Sequence, residues 1–134
     1  MSPDLSSPQP GQDGMDFVAA KLVLTCGDDL LVLLRDDFDH IDWPDHWDLP
    51  GGGREGEESA VGCALRELSA EFGLDLAPER LTCRVAFPSA AGSGRVAIFF
   101  TGRISPDEIA SIRFGDEGQC WRMMPVRDYI AHPR

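Results

Sequence analysis

A single lysine, Lys21, stands beside eleven arginines, and the 12 basic side chains face 23 acidic ones for a formal charge of −11 over 134 residues. A chain this acidic has no general electrostatic hold on duplex nucleic acid or an anionic membrane surface, so a phosphate ligand must be met by a cation. Long apolar runs are missing too. The longest, such as Leu30 to Leu34 and Val96 to Phe100, have five residues, against the roughly 20 that a membrane-spanning helix needs. Cysteine is scarce and dispersed: Cys26, Cys63, Cys83 and Cys120 form no CxxC pair, which speaks against a zinc ribbon or a redox dithiol and for free reduced thiols. Met1 to Gly14 lacks the basic start and apolar centre of a secretion signal; it reads as a disordered tail on a cytoplasmic protein. The arginine bias is what a GC-rich bacterial genome would produce. Residues 15–134 are the length of one domain.

Apolar residues from Phe17 to Leu24, a break at Cys26-Gly27-Asp28-Asp29 and a second run from Leu30 to Leu34 predict two strands joined by a tight turn, covered on both faces. Asp36 to His46, with five aspartates, Pro44, Phe38 and Trp43, is too polar for a core and reads as a solvated loop. Trp47 to Leu49 is a short strand entering a glycine turn, Pro50 to Gly53. Ser59 as N-cap and Gly73 as terminator bound a helix on which Val61, Leu65, Leu68 and Phe72 form a core-facing stripe. Leu81 to Phe87 and Arg95 to Ile104 read as arms of a hairpin. Ser105-Pro106-Asp107-Glu108 reads as a capping box, Gln119 to Met124 as a last strand, and Pro125 to Ala131 as a terminal helical turn or two.

Glu67 and Glu71 lie four residues apart on the central helix, so their carboxylates share one patch, about 110 degrees around from the stripe. Ala60, Cys63, Ala64 and Ala70 flank them on that face, and such small side chains predict a surface that a ligand or metal can approach closely. By spacing alone, an ordinary solvated face is the alternative. The preceding glycine run is no P-loop, because Gly56 is followed by Glu57 and Glu58 where that loop carries Lys and Ser or Thr. An acidic glycine-rich loop feeding an acidic helix suits a hard divalent ion such as Mg²⁺ or Mn²⁺.

Residues 52–74, from Gly52 through Glu58, Arg66-Glu67-Leu68, Glu71, Gly73 and Leu74, resemble the signature of the Nudix hydrolases, GX5EX7REUXEEXGU with U aliphatic. One position departs: Ala70 stands where the first Glu of the EE pair belongs. The resemblance, of the MutT-like kind, implies an α/β fold, an α/β/α sandwich with a mixed β-sheet, and metal-dependent cleavage of a pyrophosphate bond in a nucleoside diphosphate linked to another moiety. It implies Glu67 and Glu71 as metal-facing carboxylates, and Arg66 and Glu58 as an ion pair bracing the loop and helix; Glu67 is the first candidate for general base, a loop outside the box the alternative. It further implies Glu117 of the Glu117-Gly118-Gln119 loop and the backbone carbonyl of the Gly51-Gly52 turn as extra metal ligands, and Arg35 as a contact for substrate phosphate.

Phe38 and Trp43, in the acidic loop, are the candidate stacking surface for a base. Neither Pro88 nor Tyr129, the chain's one tyrosine, falls where branches of the family carry substrate-specific marks, and a chain without long insertions favours a small nucleotide such as a nucleoside triphosphate. A monomer or a homodimer is compatible with the sequence. The missing carboxylate at Ala70 predicts weaker metal binding or fewer ions. It also keeps open a second reading, a nucleotide-binding sensor or regulatory domain with little or no catalysis.

Overall fold

A computed structural model describes residues 17–41, 44–88 and 95–131. The tail expected over residues 1–14 and Trp43, one of the two candidate stacking residues, lie outside them. The described elements are β1 (Phe17–Cys26), β2 (Asp29–Leu34), β3 (Trp47–Asp48), β4 (Gly51–Gly53), α1 (Ala60–Phe72), β5 (Leu81–Pro88), β6 (Val96–Arg103), α2 (Pro106–Ala110), β7 (Cys120–Pro125) and α3 (Val126–Ala131), with a 3-10 turn at Pro78–Arg80.

The strands form one mixed sheet. β1 and β2 pair only beside their turn, at Thr25↔Leu30 and Cys26↔Asp29, where Gly27 takes the positive φ of 61° that the turn requires. The two strands then diverge, and the chain returns to fill the gap. β3 pairs with the far end of β2 at Leu33↔Asp48 and Leu34↔Trp47, while β4 pairs with β1 through Ala19↔Gly53, Ala20↔Gly52 and Lys21↔Gly51. On its other edge β1 runs parallel to β6, β6 pairs antiparallel with β5, and β7 lies along β2. The expected glycine turn is therefore partly strand: Gly51–Gly53 is held by β1, because a run without side chains can lie flat in the wedge between two separating strands.

Side chains alternate across β2, so it feeds two cores. Leu31 and Leu33 pack beneath α1 with Leu22, Leu24, Leu68, Phe72 and Phe100. Leu30 and Val32 join Leu49 and Met124 on the opposite face, where Val126 and Tyr129 of α3 pack against them. Helix, sheet and helix thus form the expected α/β/α layers. The expectation of two covered faces holds for β2; β1 buries Ala20, Leu22 and Leu24 on one face and leaves Val23 half-buried on the other.

Helix α1 starts and stops where the sequence marks it. Ser59 Oγ accepts from Gly62 N at 3.0 Å, and Gly73, at φ 67°, donates its N–H to Ser69 O at 2.9 Å. Its buried face is broader than the predicted stripe. Leu68 and Phe72 are buried but Val61 and Leu65 only half so, whereas Ala60, Cys63 and Ala64 are fully enclosed. The small residues thus do a different job from the one expected. They let the helix axis lie close to β1 and β4, with Cys63 Sγ 3.5 Å from Gly52 O, and are not open to a ligand. Ala70, by contrast, is exposed. The capping box at Ser105 and Glu108 forms in both directions, at 3.1 and 2.9 Å. No helix among the described residues is long and apolar enough to cross a membrane.

Candidate active site

The wedge between β1 and β2 opens into a cavity of about 240 Å³. Its walls include Gly51, Gly52 and Gly53 of β4, Glu67 and Glu71 of α1, Glu117 and Gly118 of the loop before β7, and Arg35 and Asp36 beyond β2. Four of the sequence-predicted residues, Glu67, Glu71, Glu117 and Arg35, therefore meet at one place, together with the predicted glycine turn.

Glu71 is the most enclosed of them, with 9% of its surface exposed. Its Oε1 accepts the Gly51 N–H at 2.9 Å. Gly51 sits at φ 127°, and a Cβ there would lie 2.7 Å from Lys21 Cα, so only glycine lets β4 present this N–H to the helix. Burial pushes the Glu71 carboxyl up to about 7, while the Gly51 hydrogen bond and the Lys21 charge pull it back. Glu67 is raised as well, first by burial, with repulsion from Glu117 adding to it and Arg66 opposing. Gly52 makes room for the Glu67 side chain: a Cβ at that position would come within 2.7 Å of its carboxylate carbon.

Arg66 braces the loop, and its Nη1 also lies 3.6 Å from Glu67 Oε2. Its guanidinium grips Glu58 through Nε to Oε2 at 3.0 Å and Nη2 to Oε1 at 2.9 Å, and Nη2 also donates to Gly53 O at 3.0 Å. Glu58 in turn accepts Glu55 N at 2.8 Å, and its carbonyl accepts Arg54 Nε at 3.1 Å. The Arg66 hydrogen bonds hold the Glu58 carboxyl down at about 2. Cys63, beneath the same loop, has its thiol pushed up to about 11 by burial, which disfavours the nucleophilic thiolate.

A second brace was not anticipated from the sequence. Gly118 N donates to Asp36 Oδ2 at 3.0 Å, and Gln119 Nε2 donates to Arg35 O at 2.9 Å and to Asp45 Oδ1 at 2.8 Å. These bonds tie the Glu117 loop to the acidic loop beyond β2 and include Asp45, which holds a positive φ of 58°. Phe38 is exposed and stacks on His40, with ring centroids 5.4 Å apart, and does not line the cavity.

Among the described residues, no three carboxylate, histidine or cysteine side chains converge as a preformed metal cluster. The lining nevertheless supplies hard oxygen donors, with the enclosed Glu71 and half-buried Glu67, whose charge burial disfavours, beside the exposed Glu117, and that donor chemistry suits Mg²⁺ or Mn²⁺. Arg35 is the one basic side chain among the described lining residues.

A mixed sheet between helices, with a glycine strand delivering its backbone to paired carboxylates on the following helix, defines the Nudix class of fold. The sequence model of the NUDIX domain matches residues 15–134, and the chain belongs to this family. No curated protein matches it in sequence. Solved structures share the fold at low identity. The MutT protein from Methanosarcina mazei Go1 is 20% identical with a TM-score of 0.67, over 90% of this chain and 85% of that one. A bifunctional NMN adenylyltransferase/ADP ribose pyrophosphatase from Francisella tularensis, complexed with AMP and a Mn ion, is 21% identical with a TM-score of 0.66, over 83% of this chain but only 34% of that one. The NUDIX domain of Shewanella oneidensis NrtR, complexed with ADP ribose, is 20% identical with a TM-score of 0.64, over 96% of this chain and 85% of that one. This chain thus spans about a third of the bifunctional protein.

Proposed function

We propose that this protein is a metal-dependent pyrophosphohydrolase that cleaves a small nucleotide, a nucleoside diphosphate joined to a further group such as the terminal phosphate of a nucleoside triphosphate. The observation that carries the reading is that Glu67, Glu71, Glu117 and the Gly51–Gly52 backbone line one cavity, in a family of hydrolases. Proteins similar to this one in structure were solved in complex with AMP and a Mn ion and with ADP ribose. The proposal carries with it a cytoplasmic location, a small-molecule partner in place of duplex nucleic acid or membrane, and a monomeric or homodimeric state.

Glu67, Glu71, Glu117 and the Gly51 carbonyl would hold Mg²⁺ or Mn²⁺. When bound, the ion neutralises phosphate oxygens and stabilises charge on the departing phosphate. The chain's own residues do the rest. Glu67 would serve as the general base that accepts the proton of the attacking water. Gly51 N–H fixes the Glu71 carboxylate through Oε1. Arg66 and Glu58 lock the loop so that β4 cannot drift from the helix. Arg35 meets a phosphate at the rim of the cavity.

The test is phosphate or pyrophosphate release from nucleoside triphosphates, ADP-ribose, NADH, nucleotide sugars and dinucleoside polyphosphates, with Mg²⁺ and then Mn²⁺. Turnover that EDTA and Glu71→Gln both abolish is the expected outcome. Ala70 favours a second reading, a sensor that binds a nucleotide and leaves it intact. A nucleotide-induced thermal shift with no product from any substrate would select it.

A further inference from the structure

The loop that carries Glu117, residues 112–119, has no helix or strand of its own and is exposed at Asp116 and Glu117, yet it is tied at both ends. At its start Arg113 N donates to Phe72 O and Gly115 N to Glu71 O, both at 2.8 Å. Gly115 lies so close to α1 that a Cβ there would stand 2.6 Å from Ala70 O. One end of the loop thus hangs from the backbone of Glu71 itself. The other end grips three successive residues where β2 runs out. Gln119 N donates to Leu34 O at 2.8 Å, Gln119 Nε2 to Arg35 O at 2.9 Å, and Gly118 N to Asp36 Oδ2 at 3.0 Å. Gln119 Nε2 also donates to Asp45 Oδ1 at 2.8 Å, so both hydrogens of its amide are used.

Between these attachments lie Asp116 and Glu117. Glu117 lines the cavity with Glu67 and Glu71, and its charge helps to push the Glu67 carboxyl up. Carboxylates so placed repel one another unless a cation stands between them, and an exposed loop with freedom to move would carry Glu117 away. The attachments oppose that movement. Gly118 is also packed against β2: at its φ of 88°, a Cβ would lie 3.0 Å from Phe114 Cζ and 3.1 Å from Leu33 Cδ1.

We propose that Asp36 and Gln119 are positioning residues for Glu117: Asp36, by accepting from Gly118 N, and Gln119, by donating to Arg35 O and Asp45, hold Glu117 at the cavity, so that its share of metal binding depends on them. The proposal rests on the metal-dependent reading above, and Glu117→Gln separates the two. Asp36 lines the cavity too, so a loss on its removal has two sources, its hydrogen bond and its charge. Asparagine divides them, because its side-chain oxygen still accepts from Gly118 N and carries no charge. The experiment measures Mn²⁺ binding through the electron paramagnetic resonance of the free ion, on the full chain and on Asp36→Ala, Asp36→Asn and Gln119→Ala, each alone and combined with Glu117→Gln. Exchange of the Gly118 amide is followed by NMR without metal.

Asp36→Ala and Gln119→Ala are expected to weaken Mn²⁺ binding about tenfold, the low end for residues that orient a metal ligand, and Asp36→Ala to open the Gly118 amide to exchange. Asp36→Asn should stay within about threefold of wild type, with that amide still protected. In the Glu117→Gln background each substitution should change affinity less than about twofold, because the residue through which it acts is gone. Asp36→Asn as weak as Asp36→Ala would assign the effect to charge and overturn the proposal. Equal losses with and without Glu117, or wild-type affinity in both alanine variants, would do the same. If Asp36→Ala fails to fold, Gln119→Ala in the two backgrounds decides. A Glu117→Gln chain that binds Mn²⁺ like the wild type also overturns the proposal, while nucleotide cleavage that EDTA stops would leave the hydrolase standing. No Mn²⁺ binding by the wild type overturns both.

Discussion

Replacing Glu71 by Gln should make the metal-free protein more stable at neutral pH, even though it removes a residue on which the site depends. Burial raises the Glu71 carboxyl from 4.5 to about 7. Below pH 4.5 the group is protonated in both folded and unfolded chains and contributes no pH dependence. Between 4.5 and 7 the unfolded chain gives up the proton while the folded chain keeps it, so stability falls as pH rises, and above 7 the full cost of an ionised, enclosed carboxylate is present. A displacement of that size corresponds to about 3 kcal/mol. Gln has the same shape, cannot ionise, and can still accept the Gly51 N–H that Glu71 Oε1 accepts at 2.9 Å. Urea unfolding in EDTA, followed by tryptophan fluorescence from pH 4.5 to 8, is the assay. The variant should match the wild type near pH 4.5 and exceed it by about 3 kcal/mol at pH 8. Saturating Mg²⁺ should then stabilise the wild type and leave the variant unmoved. Parallel pH profiles for the two proteins would refute the assignment of Glu71 as a carboxylate held at a cost.

Gly52→Ala, whose Cβ would press on the Glu67 carboxylate, should fold yet lose about 100-fold in kcat/KM, because a misplacement of about 1 Å is enough for that; melting and initial rates check both halves. Arg66→Ala should destabilise by about 2 kcal/mol through loss of the charged hydrogen bonds to Glu58 and Gly53, measured by urea unfolding. Since the Glu58 carboxyl is held down at about 2, the stability from this pair is present above pH 4.5 and fades as pH falls towards 2; acid unfolding should start at higher pH in Arg66→Ala than in wild type. Ala70→Glu, at an exposed position on α1, should tighten Mn²⁺ binding several-fold by isothermal titration; unchanged affinity would show that the missing carboxylate does not bear on the metal.

Legibility in the sequence followed how local each determinant is. Ser59, Gly73 and the Ser105–Glu108 box act within a turn of chain, and the helix ends could be read from them. Strand periodicity and the two-sided burial of β2 were visible in the apolar run Leu30 to Leu34 for the same reason. Packing was not. Ala60, Cys63 and Ala64 look like an open surface until β4 is seen against them, since a small residue admits a ligand or a neighbouring backbone equally well. Nor could periodicity show that Gly51–Gly53 would be strand, because its pairing partner in β1 is some thirty residues away. Of the site, the carboxylates and the Arg66–Glu58 brace came through a fixed spacing. The Gln119 contacts, and the Asp48 Oδ2 that accepts from both Lys21 Nζ at 3.0 Å and Arg35 Nη1 at 3.3 Å, join residues remote in sequence and carry no such spacing. A signal existed for Lys21: a lone lysine in an apolar strand needs a partner when buried.

The most direct test of the central claim is product release from the nucleotide panel by wild type, Glu67→Gln and Glu71→Gln, each with Mg²⁺ or Mn²⁺ and each again with EDTA. The account predicts wild-type cleavage at a pyrophosphate bond that stops with EDTA and with either substitution. Nucleotide binding without product in the wild type, or cleavage that continues in both variants, would contradict it.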